Sequence, residues 1–245
     1  STKIKANASK HKAMSYARMH EKEKRLKHEI DELLKKAERA DREEDNKHGR
    51  EDDRIPEEMA FREARLKKIR EAKAALEQRI REEEKKDMPG PKDQINFTDS
   101  ESRIMKDSST KEFIQGYNAQ CATDISSQVI VAADVVRETN DKKQIEPMTA
   151  CIHHNLNRVP KNLLADAGYF SEDNVSFLKG YDIDAFIPPD RIRHTEKPLA
   201  APRGRIPKTL SVKDRMRRLL MTKKGKDIYG KRKQTVEPVL GQIKE

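Results

Sequence analysis

The chain has 245 residues, enough for one large domain or two small ones. Its 53 Lys and Arg residues outweigh 43 Asp and Glu residues, and the formal charge of +10 favours a polyanionic partner, with nucleic acid first. A protein whose charged helices are simply solvated is the alternative, because acids are also plentiful. Hydrophobic residues make up only 34% of the chain, which excludes one dense core running through all of it.

Two further classes of protein are excluded by composition. The only cysteines, Cys121 and Cys151, cannot make a disulfide framework or a zinc site, and this favours a reduced, cytoplasmic protein. The longest aliphatic run, near VIVAA, is far too short to cross a bilayer, so no membrane partner is expected.

Residues 1–10 predict a strand. Ile4, Ala6 and Ala8 alternate with polar residues, which is typical of a half-buried strand with a basic outer face. Because this pattern begins at once, we expect the chain to start inside a fold.

Residues 11–86 predict two long helices joined by a polar turn, with Pro56 suited to a helix start. Apolar residues recur at steps of three and four, so the helices would form a hairpin with a thin apolar seam. The charges outside the seam are expected to be solvated rather than to bind ligands. The seam residues are Leu26, Ile30, Leu33 and Ala37 in the first helix and Leu66, Ile69, Leu76 and Ile80 in the second.

Residues 87–112 are rich in Pro, Gly, Ser and Asp, and they predict a linker. Residues 113–245 then change to an α/β pattern. EFIQGYNAQCAT and QVIVAADVV predict a β-hairpin whose second strand is deeply buried, because its apolar run is almost unbroken. Asp141 is interpreted as a turn or cap residue that forms a helix-start pair with Gln144.

Residues 163–187 predict a strand, a helix capped by Ser171 and a second strand parallel to the first. The first of these strands ends in Asp166. Ligands gather at the carboxyl ends of parallel strands, and a carboxylate there is well placed to hold a divalent cation. An Asp that merely caps a turn is an equal alternative. A basic, Pro-containing segment follows over residues 188–228.

Glu237 is the second candidate acid, in the closing stretch YGKRKQTVEPVLGQIKE. Pro238 argues against a straight helix through this point, so Thr235 is predicted to cap a helix whose first turn contains Glu237. Glu237, Gly241 and Lys244 would then share a face suited to metal and phosphate. A Glu that only complements the helix dipole is the alternative.

Taken together, these motifs resemble the DDE transposases of bacterial insertion sequences, in the group with a Y-R-E-K signature around the final acid. Tyr229, Glu237 and Lys244 match this signature, and six residues separate Glu237 from Lys244 as the group requires. The basic member is either Arg232, which is the Arg of the signature, or Lys233, which fits its spacing better. LLADAGYFS is similar to the motif of the second acid, Asp166, and STKIKANASKHKAMSY and GYNAQ also match the group.

The resemblance implies an α/β fold of the RNase H-like type: a mixed five-stranded sheet with flanking helices, and a long helical hairpin inserted after the first strand. In the family the first acid stands immediately before the residues that match STKIKANAS. That Asp would precede Ser1, so we expect an internal fragment that is inactive by itself.

The resemblance also implies metal-dependent cleavage of DNA phosphodiesters followed by strand transfer. Asp166 and Glu237 would hold Mg²⁺ or Mn²⁺, with two ions expected. Tyr229, Arg232, Lys233 and Lys244 would bind DNA phosphates. The implied partner is double-stranded DNA, both transposon ends and target, bound by a homodimer in the bacterial cytoplasm near the nucleoid, with no small-molecule substrate. A decayed transposase that binds DNA without cutting and a helical-hairpin interaction protein are the rival hypotheses.

Overall fold

The protein is described by a computed structural model that covers residues 1–44, 54–83, 85–107, 110–190, 204–207 and 209–244. Two compact units make up the chain. Residues 5–116 form one, called the hairpin unit here, and residues 1–4 with 117–245 form the other, called the α/β unit.

Eight strands and six α-helices are present in the described residues. The strands are β1 (Thr2–Lys5), β2 (Ala13–Ser15), β3 (Gln94–Asn96), β4 (Arg103–Lys106), β5 (Phe113–Thr123), β6 (Ile130–Val136), β7 (Asn162–Leu164) and β8 (Asp184–Phe186). The helices are α1 (Tyr16–Glu44), α2 (Arg54–Glu83), α3 (Ile145–Leu156), α4 (Glu172–Gly180), α5 (Val212–Met221) and α6 (Lys223–Lys244). Short 3₁₀ turns lie at Lys10–Lys12, Asp141–Gln144 and Ala167–Tyr169. No helix in these ranges is both long enough and apolar enough to cross a membrane.

The fold is mixed α/β, with antiparallel pairing in two sheets and parallel pairing in a third. Strand β5 is hydrogen-bonded to β1, β4 and β6, β2 pairs with β3, and β7 pairs with β8. The five strands of the predicted sheet correspond to β1, β5, β6, β7 and β8. No backbone pairing joins β7 and β8 to the other three in the described part of the chain, so the five-stranded sheet stays a prediction.

The predicted helical hairpin is confirmed. Helices α1 and α2 run antiparallel, since Tyr16 hydrogen-bonds Glu77 near one end and Arg62 pairs with Glu29 farther along. Six of the eight predicted seam residues belong to this core, whereas Leu33 and Ala37 are only half-buried. The buried residues are Met19, Leu26, Ile30, Leu66, Ile69, Leu76, Ile80 and Ile95. The predicted polar turn covers residues 41–58, and its middle part, residues 45–53, lies outside the described residues.

The hairpin unit also contains strands that the sequence did not reveal. Helix α1 begins at Tyr16 rather than near His11, because residues 13–15 form β2 and pair with β3. Strands β3 and β4 both lie within 87–112, the segment whose composition predicts a linker. Each strand is only three or four residues long and is flanked by turn residues, so composition alone concealed it.

Strand β6 corrects a second prediction, that of a deeply buried strand. Ala132 is buried, but Ile130 is 42% exposed and Val135 is 58% exposed. One face of β6 packs on α3 through Ala132, Met148 and Ile152, and the other face is open. The aliphatic run of β6 therefore belongs to a strand that is covered on one face only.

Strand β1 also differs from its predicted pattern. Ile4 is 43% exposed, whereas Lys3 is half-buried and its Nζ donates to the carbonyl oxygen of Thr139 at 3.1 Å. The expected basic outer face is therefore partly turned inward, because this lysine finds a backbone acceptor.

The predicted strand, helix and strand around Asp166 are confirmed. Strands β7 and β8 pair in parallel, with Leu163 opposite Ala185. The hydroxyl of Ser171 caps α4 by accepting from the backbone N–H of Asn174 at 3.1 Å. Leu178 of α4 is fully buried and packs with Ile183, Ala185 and Ile187 in and around β8. The strand end that carries Asp166 is therefore held by a packed core.

The seam between α1 and α2 should dominate the stability of the hairpin unit. Leu76 is fully buried, so we expect Leu76→Ala to cost about 2–5 kcal/mol of unfolding free energy. Leu34 lies on the same hairpin but is 43% exposed, and Leu34→Ala should change stability by less than about 1 kcal/mol. Urea unfolding followed by circular dichroism measures both, and equal losses would contradict the assigned seam.

Candidate functional site

Asp166 lies directly after β7 at the carboxyl end of the parallel pair. Its Oδ1 accepts from the backbone N–H of Gly168 at 2.8 Å, which caps the short turn Ala167–Tyr169. Asp166 therefore caps this turn, which is the alternative role that the sequence suggests. It also fixes one carboxylate oxygen at the strand end.

Asp141 is the residue that sequence reasoning missed. It was interpreted as a turn or cap residue, but the cap of this turn is Asn140, whose side chain accepts from the N–H of Lys142. The Asp141 carboxylate instead accepts from three side chains that are distant in the sequence. The donors are Ser1 Oγ at 2.9 Å, Asn118 Nδ2 at 2.7 Å and Gln120 Nε2 at 3.0 Å.

Strand β5 supplies two of these donors because alternate residues of a strand face the same side. Asn118 is fully buried and Gln120 is 2% exposed, so both amides need partners inside the protein. Asn118 Nδ2 also donates to the carbonyl oxygen of Glu138, and the hydroxyl of Tyr169 donates to Gln120 Oε1. The sequence signal for this network is the pair Asn118 and Gln120, two amides at alternate positions of a strand that face the same side.

The charges around Asp141 balance each other. Burial alone would raise the pKa of Asp141, but the hydrogen bonds from Asn118, Gln120 and Ser1 and the charge of Lys3 lower it below its usual value. Burial lowers the pKa of Lys3, whereas the carboxylates of Asp141 and Asp166 oppose this change. The two acids and one lysine therefore form a single electrostatic group.

Gly168 lies between the two carboxylates. A side-chain carbon at Gly168 would come within 2.9 Å of Asp166 Oδ1 and 3.3 Å of Asp141 Oδ2. A larger residue at this position would have to displace the Asp166 carboxylate, so the two acids pack closely around Gly168.

Helix α6 corrects the prediction for the end of the chain. The helix is continuous from Lys223 to Lys244 with Pro238 inside it, so Thr235 is not a cap. The Thr235 hydroxyl donates to the carbonyl oxygen of Lys231 at 2.9 Å, a bond that threonine forms inside helices. Pro238 removes one backbone N–H, but the turns on either side continue the helix.

Helix α6 also carries predicted site residues to the region of Asp166. The guanidinium of Arg232 lies 5.6 Å from the centre of the Tyr229 ring. Burial raises the pKa of Tyr229, Arg232 opposes this by its charge and a hydrogen bond, and the charge of Asp166 adds to it. A cavity of about 580 Å³ opens here, and its lining includes Ser1, Gln120, Asp166, Tyr169, Arg232 and Thr235. The structure thus brings Asp166, Tyr229 and Arg232 together.

Residues 62–245 match the family described as the transposase DDE domain. The chain belongs to this family. DDE domains act in DNA transposition with nuclease or transposase activity, bind DNA and generally use divalent metal ions. No curated protein matches the chain, and no solved structure does.

Three predicted site residues of this DDE domain are placed by backbone alone. Lys233, Glu237 and Lys244 all lie in α6, but their side chains fall outside the described residues. Within the described residues, no group of three or more His, Cys, Asp or Glu side chains is arranged to hold a metal ion. The assignment of Glu237 therefore stays a prediction.

The close approach of Asp166 and Asp141 to Gly168 can be tested by adding a methyl group at this position. Gly168→Ala should lower the unfolding free energy by about 1–3 kcal/mol, because the new methyl group would contact a hydrogen-bonded carboxylate. Gly230 lies in α6 with nothing within 4 Å of the same position. Gly230→Ala should therefore be neutral or stabilising by about 0.5–1 kcal/mol. Urea unfolding of the two variants would contradict the geometry if Gly168→Ala were the milder change.

The network around Asp141 predicts a dependence of stability on pH. The folded pKa of Asp141 lies below its unfolded value, so its stabilisation is present above about pH 4 and is lost as the pH falls. Asp141→Asn should be less stable than wild type near pH 7, and the difference should shrink towards pH 3. Urea midpoints at several pH values measure this, with Asp182→Asn, an exposed site, as the control. Parallel curves for wild type and Asp141→Asn would contradict the network.

Proposed function

We propose that this chain is the catalytic domain of a DDE transposase that cleaves DNA phosphodiesters with divalent metal ions and transfers the freed strand. One observation carries the proposal: Asp166 at the end of β7 and Arg232 on α6 line the same cavity. The family match supports the reaction class, and the cavity supplies a position where a carboxylate and a guanidinium face the same space.

Asp166 lines this cavity, and carboxylate oxygens are the ligands that Mg²⁺ prefers. Asp166 and Glu237 would hold the metal, with Mg²⁺ or Mn²⁺ expected and two ions in total. When bound, the ions would activate the attacking oxygen and stabilise the leaving oxygen of the phosphodiester.

The side chains of the chain itself would position the DNA. The N–H of Gly168 fixes one oxygen of Asp166, so this carboxylate is oriented before any ligand arrives. The buried Nε of Arg232 has no hydrogen-bond partner among the described residues, and an arginine suits a phosphate oxygen. Tyr229, Lys233 and Lys244 would add further phosphate contacts. Such contacts set affinity and salt dependence rather than sequence preference.

The finer assignments belong to the same proposal. In this proposal β1, β5, β6, β7 and β8 belong to one RNase H-like five-stranded sheet, with β7 and β8 beside β1. The Y-R-E-K residues of α6 favour the bacterial insertion-sequence group of DDE transposases. The expected ligands are transposon ends and target duplex bound by a homodimer near the nucleoid.

The test is nicking of supercoiled duplex DNA by the chain, alone and extended at its N-terminus by the residues encoded upstream of Ser1. We expect nicking that requires Mg²⁺ or Mn²⁺ in the extended form, and Glu237→Gln and Asp166→Asn should reduce it to background. Glu172→Gln, in the first turn of α4, removes an acid at an exposed site and should nick normally. Normal nicking by Glu237→Gln would refute the metal-site assignment.

A binding measurement separates the rival hypotheses. DNA binding without nicking in the extended form would favour the decayed transposase, whereas no DNA binding would favour the interaction protein. Direct Mn²⁺ binding, followed by electron paramagnetic resonance, should weaken at least about 10-fold in Asp166→Asn.

A further inference from the structure

A basic groove crosses the hairpin unit, far along the chain from Asp166 and Glu237. Its cavity is about 1040 Å³, and α1, α2, β2 and β3 contribute to its lining. Six of the lining residues are Lys, Arg or His, and Glu71 is the single acid among those that the structure describes. The basic residues are His11, Lys12, Arg18, Lys22, Arg65 and Lys68.

These groove cations repel one another. Burial lowers the pKa of Lys22, and the neighbouring positive charges of Arg65, Arg18 and Arg25 lower it further. Arg18, Lys22, Arg65 and Lys68 form no ion pair or side-chain hydrogen bond with any described residue. The fold therefore holds several positive charges together without neutralising them.

Cations elsewhere on the same hairpin are treated differently. Glu23 binds Lys27, Arg70 and Lys73 at 3.1–3.3 Å. Burial opposes these contacts, yet they lower the pKa of Glu23 to about 2. Glu23 therefore neutralises three cations on one part of the hairpin, whereas no described acid pairs with Arg18, Lys22, Arg65 or Lys68.

The groove also has an apolar component. Met14, Ile69, Ala72 and Ile95 contribute to its lining. Phe61 is 65% exposed and Phe97 is 37% exposed in the same lining. Unpaired positive side chains over an apolar floor concentrate a positive field, which favours a polyanion such as nucleic acid.

We propose that this groove binds the phosphate backbone of duplex DNA as a second contact surface. Arg18 and Lys22 are one helical turn apart on α1, about 6 Å, and Arg65 and Lys68 are about 4.5 Å apart along α2. These intervals are comparable with the spacing of phosphates along one strand, so several contacts can form at once. DNA as the ligand rests on the proposed function, but the site itself is independent of the metal and of Glu237.

The experiment measures binding of the chain to a fluorescent duplex by anisotropy at several salt concentrations. The groove variant combines Arg18→Gln, Lys22→Gln and Arg65→Gln. The matched control combines Lys24→Gln, Lys36→Gln and Lys67→Gln, which removes equal charge at exposed positions outside the groove. Circular dichroism checks that both keep the helical content of wild type.

We expect the groove variant to bind duplex at least about 10-fold more weakly, with a salt dependence reduced by about 2–3 in logarithmic slope. The control should lose less than about 3-fold. Equal losses in both would mean that only net charge matters and would overturn the groove, as would wild-type binding by the groove variant. Single-stranded DNA of the same length is titrated in parallel, and a loss confined to that probe would overturn the assignment to duplex.

Catalytic variants separate this proposal from the proposed function. Glu237→Gln should lose nicking and keep groove-dependent binding to the duplex. If the protein never nicks DNA but its binding depends on the groove residues, the groove proposal is supported and the nuclease assignment is refuted. If the protein nicks DNA and its binding does not depend on the groove residues, the nuclease assignment is supported and the groove proposal is refuted.

Discussion

Asp141 places a half-buried negative charge in the α/β unit, and a buried carboxylate must be met by donors or it destabilises the fold by several kcal/mol. The donors come from Ser1, from Asn118 and Gln120 on β5, and the charge of Lys3 on β1 adds to them. This carboxylate therefore joins the start of the chain, the middle of β5 and the turn before α3. Asp166 is held beside it across Gly168, so the geometry of the candidate site depends on Asp141 being satisfied.

The two units treat charge in opposite ways. In the α/β unit, amide and hydroxyl donors and the charge of Lys3 lower the pKa of Asp141, and the N–H of Gly168 orients the carboxylate of Asp166. In the hairpin unit, Glu23 pairs with several cations, while Arg18, Lys22, Arg65 and Lys68 of the groove have no acid partner among the described residues. Repulsion between unpaired cations at a groove lowers the free energy of unfolding. A bound polyanion removes this repulsion, which strengthens its binding. Both arrangements are expected of a protein that handles the phosphate backbone of DNA.

Local patterns were predictable from the sequence, and long-range ones were not. The helical seam at Leu66 and Ile69 follows from spacing within one helix, and the parallel pair around Asp166 follows from chain order. Asp141 was missed because its partners lie 21 to 140 residues away in the sequence. Strand β6 was misjudged because an apolar run does not tell how many faces are covered. Pro238 indicates the first turn of a helix in the sequence, although α6 continues through it from Lys223 to Lys244.

The hydrogen bond from the N–H of Ala6 to the carbonyl oxygen of Gln115, at 2.9 Å, joins the two ends of the hairpin unit. Because these ends already lie side by side, the unit enters and leaves the rest of the chain at almost a single point. The entropy of bringing such ends together grows only slowly with the number of residues between them. Evolution could therefore lengthen, shorten or replace this segment in a relative while the strands at its base stayed in place, and its length should be the least constrained dimension of the fold.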